Sequence, residues 1–306
     1  MSLSARQILE ALVSFPTVSR DSNNALVNWV EDYLAGLGIV AHRMPNEDGT
    51  KHAIYCSVGP DLPGGVVFSG HTDVVPVEGQ DWASDPWTVT ERDGKLYGRG
   101  TCDMKGFDAL ALHALQRALT ANLRRPLQVA LSFDEEVGCV GAPPLIEHMA
   151  TRVPKAEAAI IGEPSMLKCV TGHKGGAGFH VHVRGHEVHS SIMHKGVNAV
   201  MEGARLIAWA HAKNAENRSK SPSMLAAVFE PPWTTLHVGQ IEGGTAHNIT
   251  ARDCRFGLDF RVVPDEDPEA WKTEVREKAI EISAEMADVH PGAGIRLSPY
   301  FGRLYT

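Results

Sequence analysis

The sequence predicts an α/β fold in which a mostly parallel sheet carries helices, with an α+β domain of β-α-β-β-α-β order inserted after it. Three observations predict this. Apolar, β-branched runs at residues 66–70, 127–133 and 158–161 alternate with amphipathic segments, as the buried strands and covering helices of a parallel sheet do. Each of these runs releases a histidine or a carboxylate at its C-terminal end, where an open α/β sheet places its ligand crevice. From about Ala177 the texture changes, and Phe179-His180-Val181-His182-Val183-Arg184 alternates apolar and polar as a half-exposed strand does.

At 306 residues the chain points to two domains, because a domain usually takes about 100 to 200 residues. A net charge of −8 with no Lys/Arg-rich tract interleaved with aromatics speaks against nucleic acid as a partner. The five cysteines, Cys56, Cys102, Cys139, Cys169 and Cys254, are odd in number and lack C-x-x-C spacing. That argues against a disulfide framework and a thiolate zinc site, and leads us to expect a reducing, cytoplasmic location. No apolar run approaches the ~18 residues a membrane span needs, and no targeting signal opens the chain, so no membrane association is expected.

In chain order, Ser4 is a candidate N-cap for a short helix carrying Ile8, Leu9, Leu12 and Val13, ended by Phe15-Pro16. Asp21 or Asn23 opens a second helix with Leu26, Trp29, Val30 and Leu34 on one face, stopped by Gly36 or Gly38. Strands follow at 39–43 and 52–58, then the apolar run that ends in Gly70-His71-Thr72-Asp73. Residues 81–86 read as a loop with Trp82 and Trp87 packed in or under it. A glycine-punctuated loop, Gly98 to Gly106, presents Asp103 ahead of a helix over 107–119. A phosphate loop is excluded there, since the G-x-x-x-x-G-K-[ST] order is absent.

The strand at 127–133 ends in Asp134-Glu135-Glu136, and the strand at 158–161 in Gly162-Glu163. Three adjacent acids repel one another unless they point apart or a cation lies among them. In the inserted domain the sequence predicts a helix over 197–213, a loop at 216–223, strands at 234–241 and 254–263, a helix over 267–287 and a strand at 294–298.

His71, Asp103, Glu136 and Glu163 thus leave strand ends or the adjoining loop of one sheet. Imidazole plus carboxylates, without thiolate, is the donor set of a hydrolytic divalent ion with an open position for water. Asp103 has two oxygens and can bridge two metals. Asp73 is placed to hold the imidazole N–H of His71. Glu135, beside a ligand but free of metal, can carry a proton from water to a leaving amine.

These residues stand in motifs. F-S-G-H-T-D-V-V-P, Y-G-R-G-T-C-D-M-K-G, F-D-E-E-V-G and I-G-E-P-S together resemble the di-zinc aminoacylase and carboxypeptidase family of amidohydrolases and exopeptidases. Within it, G-H-K-G at 172–175 and H-S-S at 189–191 are most similar to acetylornithine deacetylase. The resemblance implies a zinc-hydrolase catalytic domain over residues 1–176, a ferredoxin-like lid and dimerisation domain over 177–300, and a stub of return to the catalytic domain at 301–306. It implies two zinc ions, with cobalt as a substitute: His71, Asp103 and Glu163 hold one, while Asp103 bridges to a second held also by Glu136. It makes Glu135 the general base and acid and Asp73 the orienter of His71. His189 becomes the oxyanion stabiliser, and Asn248 and Arg261 bind the substrate carboxylate. The implied reaction is hydrolysis of an N-acyl amino acid, N2-acetyl-L-ornithine, to ornithine and acetate in arginine biosynthesis, by a homodimer joined through the inserted domain.

The remaining histidines, His173, His180, His182, His186 and His194, read as surface or hydrogen-bonding residues. Arg261 also admits an ion pair with Asp259 or Glu266. Members of the family close the second zinc site with a histidine from a C-terminal stretch that has no counterpart here, so the sequence reads as C-terminally truncated, with an incomplete second site and uncovered apolar surface. Two alternatives follow: an exopeptidase or dipeptidase using the same residues, and a non-catalytic dimerising module.

Overall fold

The computed structural model describes residues 2–299, so the expected stub at 301–306 lies outside the described residues. The chain divides into two compact units, the first ending at Cys169 and the second beginning at Val170.

The first unit opens with helix α1 (Ala5–Val13), whose N-cap Ser4 forms a capping box with Gln7 and which buries Ile8, Leu9, Leu12 and Val13. Helix α2 (Asn24–Gly36) buries Leu26, Val27, Val30 and Leu34. Asn23 precedes it but makes no cap bond. Instead its side chain spans His52 and Thr72, tying the helix start to the sheet. Strands β1 (Ala41–Pro45), β2 (His52–Val58) and β3 (Gly65–His71) follow, then a hairpin of β4 (Thr90–Arg92) and β5 (Lys95–Tyr97), helix α3 (Lys105–Ala118), strand β6 (Leu127–Ser132), helix α4 (Ala142–Ala150) and strand β7 (Ala156–Ile161).

The main sheet has the order β1-β2-β6-β3-β7. β6, β3 and β7 are parallel neighbours, and β2 is antiparallel to both β6 and β1. The sheet is therefore mixed, with β2 running against the other four. Side-chain alternation along β6 divides the interior: Val129 and Leu131 pack with α1, α2 and α3, while Ala130 joins Tyr55, Phe133 and Leu145 on the α4 side. β7 is an edge strand, and Ile160 and Ile161 on it are exposed, as are Met166 and Leu167 beyond it.

The second unit consists of β8 (Gly175–Arg184), α5 (Ala199–Ser219), β9 (Thr235–His237), β10 (Ile241–Gly243), β11 (Asp253–Val262), α6 (Pro268–Val289) and β12 (Gly294–Pro299). Its antiparallel sheet has the order β10-β11-β8-β12, with β9 also on β11, which is the ferredoxin-like arrangement. Phe179, Val181 and Val183 of β8 and Phe256, Leu258 and Phe260 of β11 bury one sheet face with Leu206, Trp271, Val275, Ile282 and Met286 of the helices.

The structure corrects several boundaries. The strand expected at 234–241 is two short pieces on one edge of β11. α5 runs to Ser219, into the stretch expected to be loop. α4 and the β4–β5 hairpin are additional elements. α4 starts with prolines at its first turn, where the missing N–H is free to be absent.

Candidate metal centre

The parallel trio β6-β3-β7 makes the site. Because these strands point the same way, their C-terminal ends lie along one sheet edge, and each delivers a donor: β3 ends at His71, β6 runs into Glu135 and Glu136, and β7 into Glu163. Thr72 stitches the first two together, its N–H and hydroxyl both donating to the Ser132 carbonyl at 2.9 and 3.0 Å. The Gly162 N–H donates to the Ser69 carbonyl at 3.2 Å, fixing Glu163 beside β3. Asp103 comes from the loop ahead of α3, which turns at Gly100 with φ 85° and where the Gly106 N–H donates to the Gly100 carbonyl. The Asp103–Met104 peptide is cis.

Asp103, Glu135 and Glu163 converge on one nitrogen. His71 Nε2 lies 3.1 Å from Asp103 Oδ1 and 3.8 Å from both Glu135 Oε2 and Glu163 Oε1. Two triads of donor atoms, His71-Glu135-Glu163 and His71-Asp103-Glu136, each lie within 4.8 Å of one another. The imidazole is buried at 1% exposure, whereas the Asp103 and Glu163 side chains are 47% and 43% exposed, so the cluster opens to solvent.

Asp73 orders this cluster from behind. His71 Nδ1 donates to the Asp73 backbone carbonyl at 2.8 Å, with the carboxylate further off at 3.5 Å. The Asp73 carboxylate is occupied elsewhere, accepting from Ser19 Oγ at 2.7 Å and from the backbone N–H groups of Glu135 and Glu136 at 3.1 and 3.2 Å. Asp73 thereby sets both the tautomer of His71 and the loop carrying the two glutamates. The adjacent acids do point apart, since Asp134 turns away with φ 55° and pairs with Lys51.

The charge balance favours a cation. Burial opposes ionisation of Glu136, and the neighbouring Asp103 adds to it, pushing its pKa up to about 7. Burial, with Asp103 and Glu135, also raises Glu163. Burial works against charge on His71, yet Asp73, Asp108 and Glu135 outweigh it and push its pKa up to about 10. Nδ1 is committed to the Asp73 carbonyl, so Nε2 is the nitrogen turned to the carboxylates, a field that attracts positive charge. An imidazole with such carboxylates is a donor set suited to one or two divalent ions.

Several participants carry no sequence signal. Ser19 is 54 positions from Asp73. Lys105 is fully buried, its Nζ donating to the Phe15 carbonyl at 2.7 Å, and burial pushes its pKa down to about 7. Asp108 is buried against Gly70, where a Cβ would lie 2.0 Å from its Oδ1, and burial holds its carboxyl well above the usual range.

The other predicted residues sit in the second unit. His189 bridges to Ile249, and the Ser190 N–H donates to the Asn248 carbonyl at 2.8 Å, so His189 and Asn248 are neighbours. Arg261 stands apart on β11, its Nε donating to Asp259 Oδ2 at 3.1 Å, the ion pair its sequence neighbours allowed. His182 donates to Asp253 at 2.8 Å, and His186 stacks on His290 with ring centres 4.0 Å apart. Among the described residues no helix is long and apolar enough to cross a membrane.

Residues 67–290 match Peptidase family M20/M25/M40. The chain is 34% identical over 264 residues to the acetylornithine deacetylase of Pasteurella multocida, which takes in 84% of this chain and 68% of that protein. Among solved structures, an M20 family metallo-carboxypeptidase from Sulfolobus solfataricus has the same fold with a TM-score of 0.71 at 18% identity, over 98% of this chain and 78% of that one. A dinuclear metal-binding peptidase of Bacillus subtilis aligns with a TM-score of 0.58 at 13% identity, over 96% of this chain and 72% of that one. The family match spans most of the chain and contains the whole donor cluster, and the chain belongs to peptidase family M20/M25/M40 as a metal-dependent amidohydrolase.

Proposed function

We propose that this protein hydrolyses the amide of an N-acyl amino acid, with N2-acetyl-L-ornithine as substrate, releasing ornithine and acetate. The observation that carries the reading is the convergence of Asp103, Glu135 and Glu163 on His71 Nε2. The choice of substrate is supported by the 34% identity to an acetylornithine deacetylase. Two zinc ions are proposed, one held by His71, Asp103 and Glu163, and one by Asp103 and Glu136. Bound divalent ions supply Lewis acidity, polarising the scissile carbonyl and making water nucleophilic near neutral pH.

The chain's own groups do the rest. His71 is held by the Asp73 carbonyl with Nε2 turned toward the carboxylates. Glu135, whose Oε2 faces that nitrogen, takes a proton from the attacking water and returns it to the leaving amine as the C–N bond breaks. Asp73 keeps the Glu135 backbone in place throughout. His189 is assigned the developing oxyanion, and Asn248 and Arg261 the substrate carboxylate, for which Arg261 would leave Asp259. A homodimer formed through the second unit, and a cytoplasmic role in arginine biosynthesis, belong to the same proposal.

The test is a substrate panel run on the zinc-loaded chain. Acetylornithine should be cleaved with a higher kcat/KM than any of a set of dipeptides. Preference for a dipeptide would replace the deacylase reading with an exopeptidase one.

A further inference from the structure

Cys139 has no part in the donor set proposed above, yet its thiol donates to Glu135 Oε1 at 3.2 Å. A carboxylate can only accept, so the proton of this contact is carried by sulfur. The other oxygen of the same carboxylate, Oε2, lies 3.8 Å from His71 Nε2. The two oxygens of Glu135 therefore have different neighbours: one is tied back to its own loop and the other is turned toward the donor cluster.

The loop is folded so as to make this contact. The N–H groups of Gly138 and Cys139 both donate to the Glu135 carbonyl at 2.9 Å, and that of Val140 to the Asp134 carbonyl at 3.1 Å, which brings position 139 back over position 135. Cys139 sits in the left-handed region with φ 55°. Glycine or asparagine serves that backbone at less cost, so the shape of the turn does not by itself call for a thiol. What the cysteine adds is a half-buried donor reaching the carboxylate.

We propose that Cys139 is a positioning residue, whose S–H group holds the Glu135 carboxylate so that Oε2 presents its lone pair to the attacking water. This rests on the reading of Glu135 as the proton-transfer group. A thiol suits the task because it is a weak donor: it fixes the orientation of the carboxylate while withdrawing little of the electron density that a base needs.

The experiment compares the full chain with Cys139→Ala, Cys139→Ser and Glu135→Gln, measuring acetylornithine hydrolysis, zinc content and thermal unfolding for each. Infrared spectra of the S–H stretching region are recorded on the metal-free proteins. Cys139→Ala, folded and fully zinc-loaded, should lower kcat about three- to tenfold with KM unchanged, the loss expected for one modest hydrogen bond. Cys139→Ser, which keeps a donor, should recover most of that loss. The S–H band that disappears in Cys139→Ser should move to higher frequency in Glu135→Gln, whose amide is a weaker acceptor.

An unchanged kcat in Cys139→Ala, a loss that follows zinc content, or an S–H band indifferent to Glu135→Gln would overturn the inference. Abolished turnover in Glu135→Gln alongside a normal Cys139→Ala would remove the role of Cys139 alone. Full turnover in Glu135→Gln would instead remove the reading of Glu135.

Discussion

The carboxylate of Asp73 accepts the backbone N–H of Glu135 at 3.1 Å, across 62 positions of sequence, while the Asp73 carbonyl accepts from His71 at 2.8 Å. One buried residue thus holds the imidazole and the glutamate loop in a single geometry. Burial raises the cost of its charge, but the adjacent His71 and hydrogen bonds from Ser19 and the Glu135 N–H keep its pKa below the ordinary aspartate value. It stays an acceptor throughout the working pH range.

Asp73→Ala should therefore weaken zinc binding about 10- to 100-fold, because groups behind metal ligands carry that share of affinity. Competition against a chromogenic chelator measures it. Unchanged affinity would mean that the glutamate loop is held without Asp73.

Gly162 links helix α3 to the site. A Cβ there would lie 1.9 Å from the Phe107 ring, and the next residue is Glu163. Gly162→Ala should lower unfolding stability by about 1 to 3 kcal/mol as the ring or strand end is displaced. Because Glu163 moves with the strand end, zinc affinity should fall as well. Urea unfolding and zinc titration of one preparation report both effects, and loss of neither would show that Phe107 yields freely.

In the second unit, Asp253 is hydrogen-bonded by His182, Arg252 and Arg184, which hold its pKa well below the ordinary aspartate range. An acid whose pKa is lower in the folded state stabilises the fold above its unfolded pKa, and that contribution disappears as pH falls toward the folded value. The stability gap between the natural chain and Asp253→Asn should accordingly be fully present near about pH 5 and shrink below about pH 4. Urea midpoints across that range measure it, and a gap that widened on acidification would contradict the ion cluster.

The cysteines differ in exposure. Cys102 and Cys169 are exposed, whereas Cys56 and Cys254 are buried. Burial pushes the Cys56 thiol up to about 12. Brief alkylation of the native chain, mapped by mass spectrometry, should mark Cys102 and Cys169 and spare Cys56 and Cys254. Early labelling of Cys56 would indicate an open first unit.

The parts of this structure legible in the sequence are those governed by local rules. The apolar runs of β3 and β6 and the spacing of Leu26, Val30 and Leu34 mark elements whose buried faces the sequence spells out. His71, Glu136 and Glu163 stand out as candidate donors because they follow such runs, and Asp103 because a glycine-punctuated loop presents it ahead of α3. What stayed hidden depends on contacts between distant segments. Nothing near Ser19 announces that it will donate to Asp73, and nothing in the α3 sequence says that Lys105 and Asp108 will be buried. Asn23 reads as a cap but serves as a tie to His52 and Thr72, because its side chain finds buried partners on the sheet. α4 was hidden by Pro143 and Pro144, which resemble a turn yet suit the first turn of a helix.

In the proposed mechanism Glu135 transfers the proton in zinc-dependent amide hydrolysis. Glu135→Gln keeps the side-chain shape and removes the base. The most direct measurement is the kcat of zinc-loaded Glu135→Gln for acetylornithine, with metal content determined on the same sample. A fall of at least about 100-fold at undiminished zinc content is expected. Turnover within a fewfold of the natural chain, with zinc bound, would contradict it.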